Sequence, residues 1–146
     1  VIDKSVTINA PLAKVEAFMD QPKRIPEWYE GIESVDPEPG YPLEVGTAGQ
    51  FVAKSAGLTV ESKFTLTKRD VAAGEHIREF LIEGMMTGTN RWILREEGDM
   101  THLNVVVDYQ LSGGVLGKIM DRLFVERTYD KNSEKSLQNL KSIIEA

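Results

Sequence analysis

The chain has 146 residues, 41% hydrophobic and 27% charged, enough to bury a good core in one soluble domain. Its net charge of −6 and pI near 5.0 argue against a nucleic-acid binder, which needs clustered basic side chains. It contains no cysteine, which excludes disulfides, thiolate metal sites and a cysteine nucleophile and fits a reducing compartment.

Val1 to Ile8 predicts a strand, with Ile2, Val6 and Ile8 on one face at period two. Asn9-Ala10-Pro11 starts a helix, since a capping-type residue is followed by proline in the first turn. Leu12, Val15 and Phe18 or Met19 form its buried stripe, and Gln21-Pro22 stops it. Lys23 to Tyr29 is a second short helix or turn, interrupted by Pro26 and carrying Trp28 and Tyr29. Gly31 leads into a short strand around Ile32 to Val35. The prolines of Asp36–Pro42 mark a loop.

Five further strands are predicted at Thr47–Ser55, Thr59–Asp70, His76–Met85, Thr87–Glu96 and Thr101–Leu111. The connections are too short for parallel crossovers, so neighbours run antiparallel. Alternation puts Val60, Ser62, Phe64 and Leu66 on one face. It likewise groups Val105, Val107 and Tyr109, and puts Gly88 and Asn90 with Trp92 and Leu94. Phe51 and Val52 cannot both face inward.

Gly113 to Glu145 reads as one long helix with Ser112 as N-cap, about 50 Å long at roughly 1.5 Å per residue. Leu116, Ile119, Met120 and Leu123 form a first apolar stripe, and Leu137, Leu140 and Ile144 a second, rotated from it by about a quarter turn at roughly 100° per residue. Either the helix bends or surfaces between the stripes, or its first half faces a cavity while its second half seals a dry core. The resulting class is α+β: a curved antiparallel sheet of about seven strands wrapped around a long C-terminal helix, with two short helices between strands 1 and 2.

Several segments together resemble the START-like, or SRPBCC, helix-grip superfamily, in its polyketide-cyclase-like and carbon-monoxide-dehydrogenase-subunit-G-like branches. These are Ile8-Asn9-Ala10-Pro11 with Val15, Asp20 with Ile25-Pro26-Glu27-Trp28, Gly46-Thr47, Arg91-Trp92 with Leu94, and the Gly113–Gly117, Asp121–Leu123 and Ser136–Lys141 stretches. The resemblance spans essentially residues 1–146, read as a single domain. It implies a seven-stranded sheet gripping the last helix around a hydrophobic cavity. It does not imply one activity, because members bind lipids, hormones, quinones or polyketides and only some catalyse.

The residues offer little acid–base or metal chemistry. His76 and His102 sit at strand starts and read as surface residues, short of the three or four ligands that zinc takes, so no metal or other cofactor is expected. Glu79 and Glu83 are about 13 Å apart along a strand, too far for a glycosidase pair, and read as a solvated face. No serine sits in a Gly-x-Ser-x-Gly elbow, and Gly46–Gly49 lacks the lysine of a phosphate loop.

What remains is a sparse polar set on the inward face. Ser62, Asn90 and Tyr109, with Trp28 and Tyr29 at the rim, either satisfy one another and the backbone or orient a ligand. We expect binding of a small hydrophobic or amphipathic molecule. Leu116, Met120, Leu123 and Phe124 line the helix side of its cavity, and Phe64, Phe80, Ile82, Trp92 and Tyr109 the sheet side. The alternatives are a cyclase or dehydratase using Tyr29, Asn90 or Tyr109 for proton transfer, and an interaction subunit with a filled core. The expected partner is a small apolar molecule, with no nucleic acid and no stable membrane insertion. A signal-like opening is not seen in Val1–Lys4, and a cytoplasmic location is expected.

Overall fold

The computed structural model describes residues 1–37 and 44–146. The strands are β1 (Ile2–Ile8), β2 (Ile32–Pro37), β3 (Ala48–Ser55), β4 (Leu58–Ala72), β5 (Glu75–Gly84), β6 (Met86–Glu97) and β7 (Met100–Leu111). They form one antiparallel sheet in the order β1-β7-β6-β5-β4-β3-β2. Consecutive strands from β2 to β7 are spatial neighbours, and β1 closes beside β7. The loop predicted over Asp36–Pro42 begins later than expected, because β2 runs to Pro37; its remainder lies outside the described residues.

Alternation works as predicted on β4, where Leu58, Val60, Ser62, Phe64 and Leu66 are buried and the residues between them are not. On β3 the ambiguous pair resolves with Phe51 buried and Val52 half-buried. Gly88 has φ +141, and a Cβ there would lie 1.9 Å from the Asp108 carbonyl oxygen. Only glycine permits that approach of β6 to β7, two residues before Asn90 and opposite Tyr109.

Between β1 and β2 lie α1 (Leu12–Met19), a 3₁₀ turn (Pro22–Arg24) and α2 (Ile25–Trp28). Leu12, Val15 and Met19 are the buried stripe of α1. The chain ends in two helices: α3 (Gly113–Leu116) and α4 (Arg122–Glu145). This corrects the single helix expected over Gly113–Glu145. Ser112 caps α3, its Oγ accepting from the Val115 N–H at 3.4 Å, and Asp121 starts α4 afresh, its Oδ1 accepting from the Phe124 N–H at 3.0 Å. Three glycines in five residues weaken the first segment, and the second cap resets the helical phase.

The break explains the two apparent stripes. Counting back by four from Leu137 gives Ser133, Tyr129 and Val125, the inward line of α4; Ser133 and Val125 are buried and Tyr129 half-buried. Leu137, Leu140 and Ile144 continue it into the main core with Val15, Leu66, Trp92, Leu94 and Leu103. Each such side chain contributes about 1.5–3 kcal/mol when fully buried. Val125 joins Val115, Leu58 and Val60 in a separate small cluster at the other end. This is the helix-grip arrangement: a curled seven-stranded sheet closed over a long C-terminal helix.

Candidate functional site

A cavity of about 150 Å³ lies between the concave face of the sheet, the α2–β2 segment and the middle of α4. The sheet contributes Phe51, Phe64, Phe80, Ile82, Asn90 and Trp92, among others; Tyr29 comes from the end of α2 and Tyr129 from α4. The aromatic rings form a continuous wall. Phe64 and Phe80 meet edge to face at 6.3 Å, and Phe80 packs on Trp92 at 4.7 Å. Behind them, Trp28 is 1% exposed and touches both Trp92 at 5.8 Å and Tyr29 at 5.2 Å.

Few polar atoms reach this wall. Asn90 Nδ2 donates to the Tyr29 hydroxyl at 3.1 Å, which leaves that O–H free to donate. Burial raises the pKa of Tyr29 above its ordinary value, against the opposing Asn90 bond, so its proton stays on at neutral pH. Asn90 Oδ1 and Trp92 Nε1 are buried without partners. Towards the mouth, Tyr109 packs on Tyr129 at 5.5 Å. Burial, with Tyr129 and the carboxylates of Glu126 and Asp130 adding to it, raises the pKa of Tyr109 as well.

The helix is held off the sheet by polar ties. Asn132 Nδ2 donates to Ser55 Oγ at 2.6 Å, linking α4 to β3. Ser136 Oγ accepts from the Glu30 N–H at 2.7 Å and donates to the Asn132 carbonyl at 2.6 Å. Asn139 Nδ2 donates to the Trp28 carbonyl at 3.2 Å. The entrance segment is therefore fastened to α4 through its backbone.

The sequence matches the family described as polyketide cyclase / dehydrase and lipid transport over residues 1–145. The chain belongs to this family. Its structure is similar to that of TTHA0849 from Thermus thermophilus, with a TM-score of 0.75 at 19% identity over 98% of this chain and 95% of that one. It is similar to a START superfamily protein from Mycobacterium smegmatis, with a TM-score of 0.72 at 15% identity over 99% and 96%. The Zhui aromatase/cyclase from Streptomyces sp. R1128 superposes with a TM-score of 0.71 at 18% identity over 99% and 92%. At such identities these structures share the fold. A search of curated protein sequences gives no match.

Within this member of the family, seven of the expected ligand-side residues meet at the cavity: Tyr29, Phe64, Phe80, Ile82, Asn90, Trp92 and Tyr109. The others lie elsewhere. Trp28 is packed behind the wall, away from the rim. Ser62 is outside the cavity, its hydroxyl satisfied by the Met86 backbone at 2.9 and 3.3 Å. Leu116 is half-buried on α3 and does not reach the cavity. Met120, Leu123 and Phe124 are 102%, 53% and 55% exposed, because the break between α3 and α4 turns them to the outside. Asn90 and Tyr109 do not bond each other; their partners are Tyr29 and Tyr129.

Sequence reasoning missed the α4 contribution of Tyr129, Asn132 and Ser133, although the four-residue spacing back from Leu137 points to two of them. It also missed a buried ion cluster outside the cavity lining. Arg78, paired across the sheet with Trp92, is fully buried. Its Nη2 lies 2.7 Å from Glu16 Oε2 and 3.3 Å from Asp20 Oδ2, with Arg69 3.8 Å from Asp20. His76, expected at the surface, bonds Glu16 in this cluster. Alternation from Phe80 puts Arg78 inward, and Glu16 and Asp20 are one helical turn apart. Among the described residues, no group of three His, Cys, Asp or Glu side chains could hold a metal ion. Nor is any described helix long and apolar enough to cross a membrane.

Proposed function

We propose that this protein binds a small, largely apolar molecule in the cavity between the sheet, α2 and α4. The observation that carries this reading is a mostly apolar cavity, walled in part by aromatic rings, with a few polar atoms, the usual composition of a ligand site. Its volume of about 150 Å³ favours a ligand, or an inserted portion of one, about the size of a single ring; cavities of about this size take up benzene. Family membership supports the same reading.

A second reading is catalysis of the cyclase or dehydratase kind. It is favoured by the Tyr29 hydroxyl, which keeps its proton and is fixed by Asn90 inside the cavity, and so is placed as a hydrogen-bond or proton donor. It is the weaker of the two, because no histidine is among the residues that line the cavity.

Native mass spectrometry of the protein as purified, with uptake of an apolar fluorescent probe on the same sample, tests the binding reading. A small-molecule adduct or stoichiometric probe uptake is expected. A bare protein that takes up no probe would overturn it in favour of an interaction subunit. Turnover of a polyketide-like substrate, abolished by Tyr29→Phe, would establish the second reading.

A further inference from the structure

Resting on the binding reading above, we propose that the cavity selects a neutral ring bearing a hydroxyl group and rejects a carboxylate of the same size. The first observation is the pair of buried polar atoms with no partner. Trp92 is 3% exposed and lines the cavity, yet its Nε1–H has no acceptor. Asn90 Oδ1, two residues away on the same face of β6, has no donor. An indole N–H is a donor only and an amide oxygen an acceptor only. A ligand that satisfies both must offer an acceptor and a donor, and a hydroxyl is the smallest group that carries both. Leaving either atom unpaired in an apolar enclosure is costly, so the matching group gains more here than at a wet surface.

The second observation is the charge of the lining. Its residues include two carboxylates, Glu30 and Asp108, and no lysine, arginine or histidine. Glu126 and Asp130 add negative charge around Tyr109 at the mouth. Two lysines partly offset this from outside the lining: Lys135, 3.4 Å from Glu30, and Lys4, 3.0 Å from Asp130. Neither lysine is itself a lining residue. An anion entering would lose its hydration in an aromatic enclosure with no cation to receive it. The buried Arg78 is engaged by Glu16 and Asp20 and is not among the lining residues.

The test uses the intact protein and a matched set of single-ring probes: phenol, anisole, toluene and benzoate. Binding is followed by NMR through the two tryptophan indole N–H signals, with Trp92→Phe identifying that of Trp92. Phenol is expected to bind at least about tenfold more tightly than toluene, with anisole between them and benzoate not binding. Phenol and anisole should shift the Trp92 N–H signal downfield, and toluene should not. Trp92→Phe should remove the advantage of phenol over toluene. Equal affinity for phenol and toluene, or preferential binding of benzoate, overturns this selectivity while leaving the cavity reading intact. If none of the four probes binds, both fail. The comparison among probes on the unmodified protein decides the matter even if Trp92→Phe does not fold.

Discussion

Replacing Ala53 by isoleucine separates a hollow interior from a filled one by the sign of its effect. Ala53 lies on β3 on the same face as Phe51 and Ser55, and all three line the cavity. Its strand neighbours are Ile32 on β2 and Val60 on β4, so a branched side chain suits the site. The substitution adds three carbons. At about 0.8 kcal/mol per buried CH₂ the gain is up to about 2.4 kcal/mol. Fixing the isoleucine rotamer offsets about 0.5–1 kcal/mol of that. The net expectation is a stabilisation of about 1.5 kcal/mol, or a rise in Tm of about 3–6 °C for a chain of this size. In a close-packed interior the same change costs about 1–3 kcal/mol. Urea unfolding gives the free energy, and toluene titration on the same samples reports the space. The expected result is an equal or raised stability together with lost toluene binding. A loss of about 1 kcal/mol or more, with a parent protein that binds no toluene, would refute the cavity.

Three further outcomes follow from the polar contacts. Arg78→Ala leaves Glu16 and Asp20 without their buried cation and should cost about 3–5 kcal/mol in urea unfolding; a loss under about 1 kcal/mol would mean the cluster is hydrated. Asp20 has its pKa raised, by burial first, against Arg78 and Arg69. The folded state therefore holds its proton to higher pH than the unfolded state, and the Asp20 contribution to stability falls as pH rises from about 4 through the raised value. The Tm of Asp20→Asn minus that of the parent should accordingly grow over that interval, and a flat difference would contradict the assignment. Ser136→Ala removes the bond that fastens α4 to the Glu30 backbone, along with an intrahelical bond to the Asn132 carbonyl, and should lower stability by about 1–3 kcal/mol, with faster amide exchange at Glu30; unchanged exchange would count against the tie.

The sheet was legible because its signal is local. Period-two patterning and short turns identify β1 and the five strands from β3 to β7 to within one or two residues, and Trp92, Asn90 and Tyr109 fall on the covered face as alternation requires. The end of the chain was less legible, because helix-favouring composition continues across a break. Whether Lys118–Asp121 stays helical depends on Asp121 capping a new helix, and a lone aspartate looks the same in mid-helix or at a cap. That single ambiguity moved Met120, Leu123 and Phe124 from the expected cavity wall to the surface and hid Tyr129 and Ser133. The ion cluster was missed for a different reason. Arg78 sits on a strand otherwise read for its apolar residues, and its partners are some sixty positions earlier on α1.

The same helix builds a solid end and a hollow end, and its side chains decide which is which. From Leu137 onward α4 presents Leu137, Leu140 and Ile144, which fill the space against α1 and the sheet. One turn earlier it presents Ser133 and Asn132, too small or too polar to fill the gap. The helix cannot tilt inward to close that gap, because Asn132 bridges to Ser55 and Ser136 holds the backbone at Glu30. On the opposite wall Gly88 lets β6 and β7 approach closely beside Asn90, and the aromatic rings of Phe64, Phe80 and Trp92 brace one another. Rings that pack edge to face keep their positions without a ligand. The cavity is thus preformed, and a ligand that fits it need not reorganise its walls.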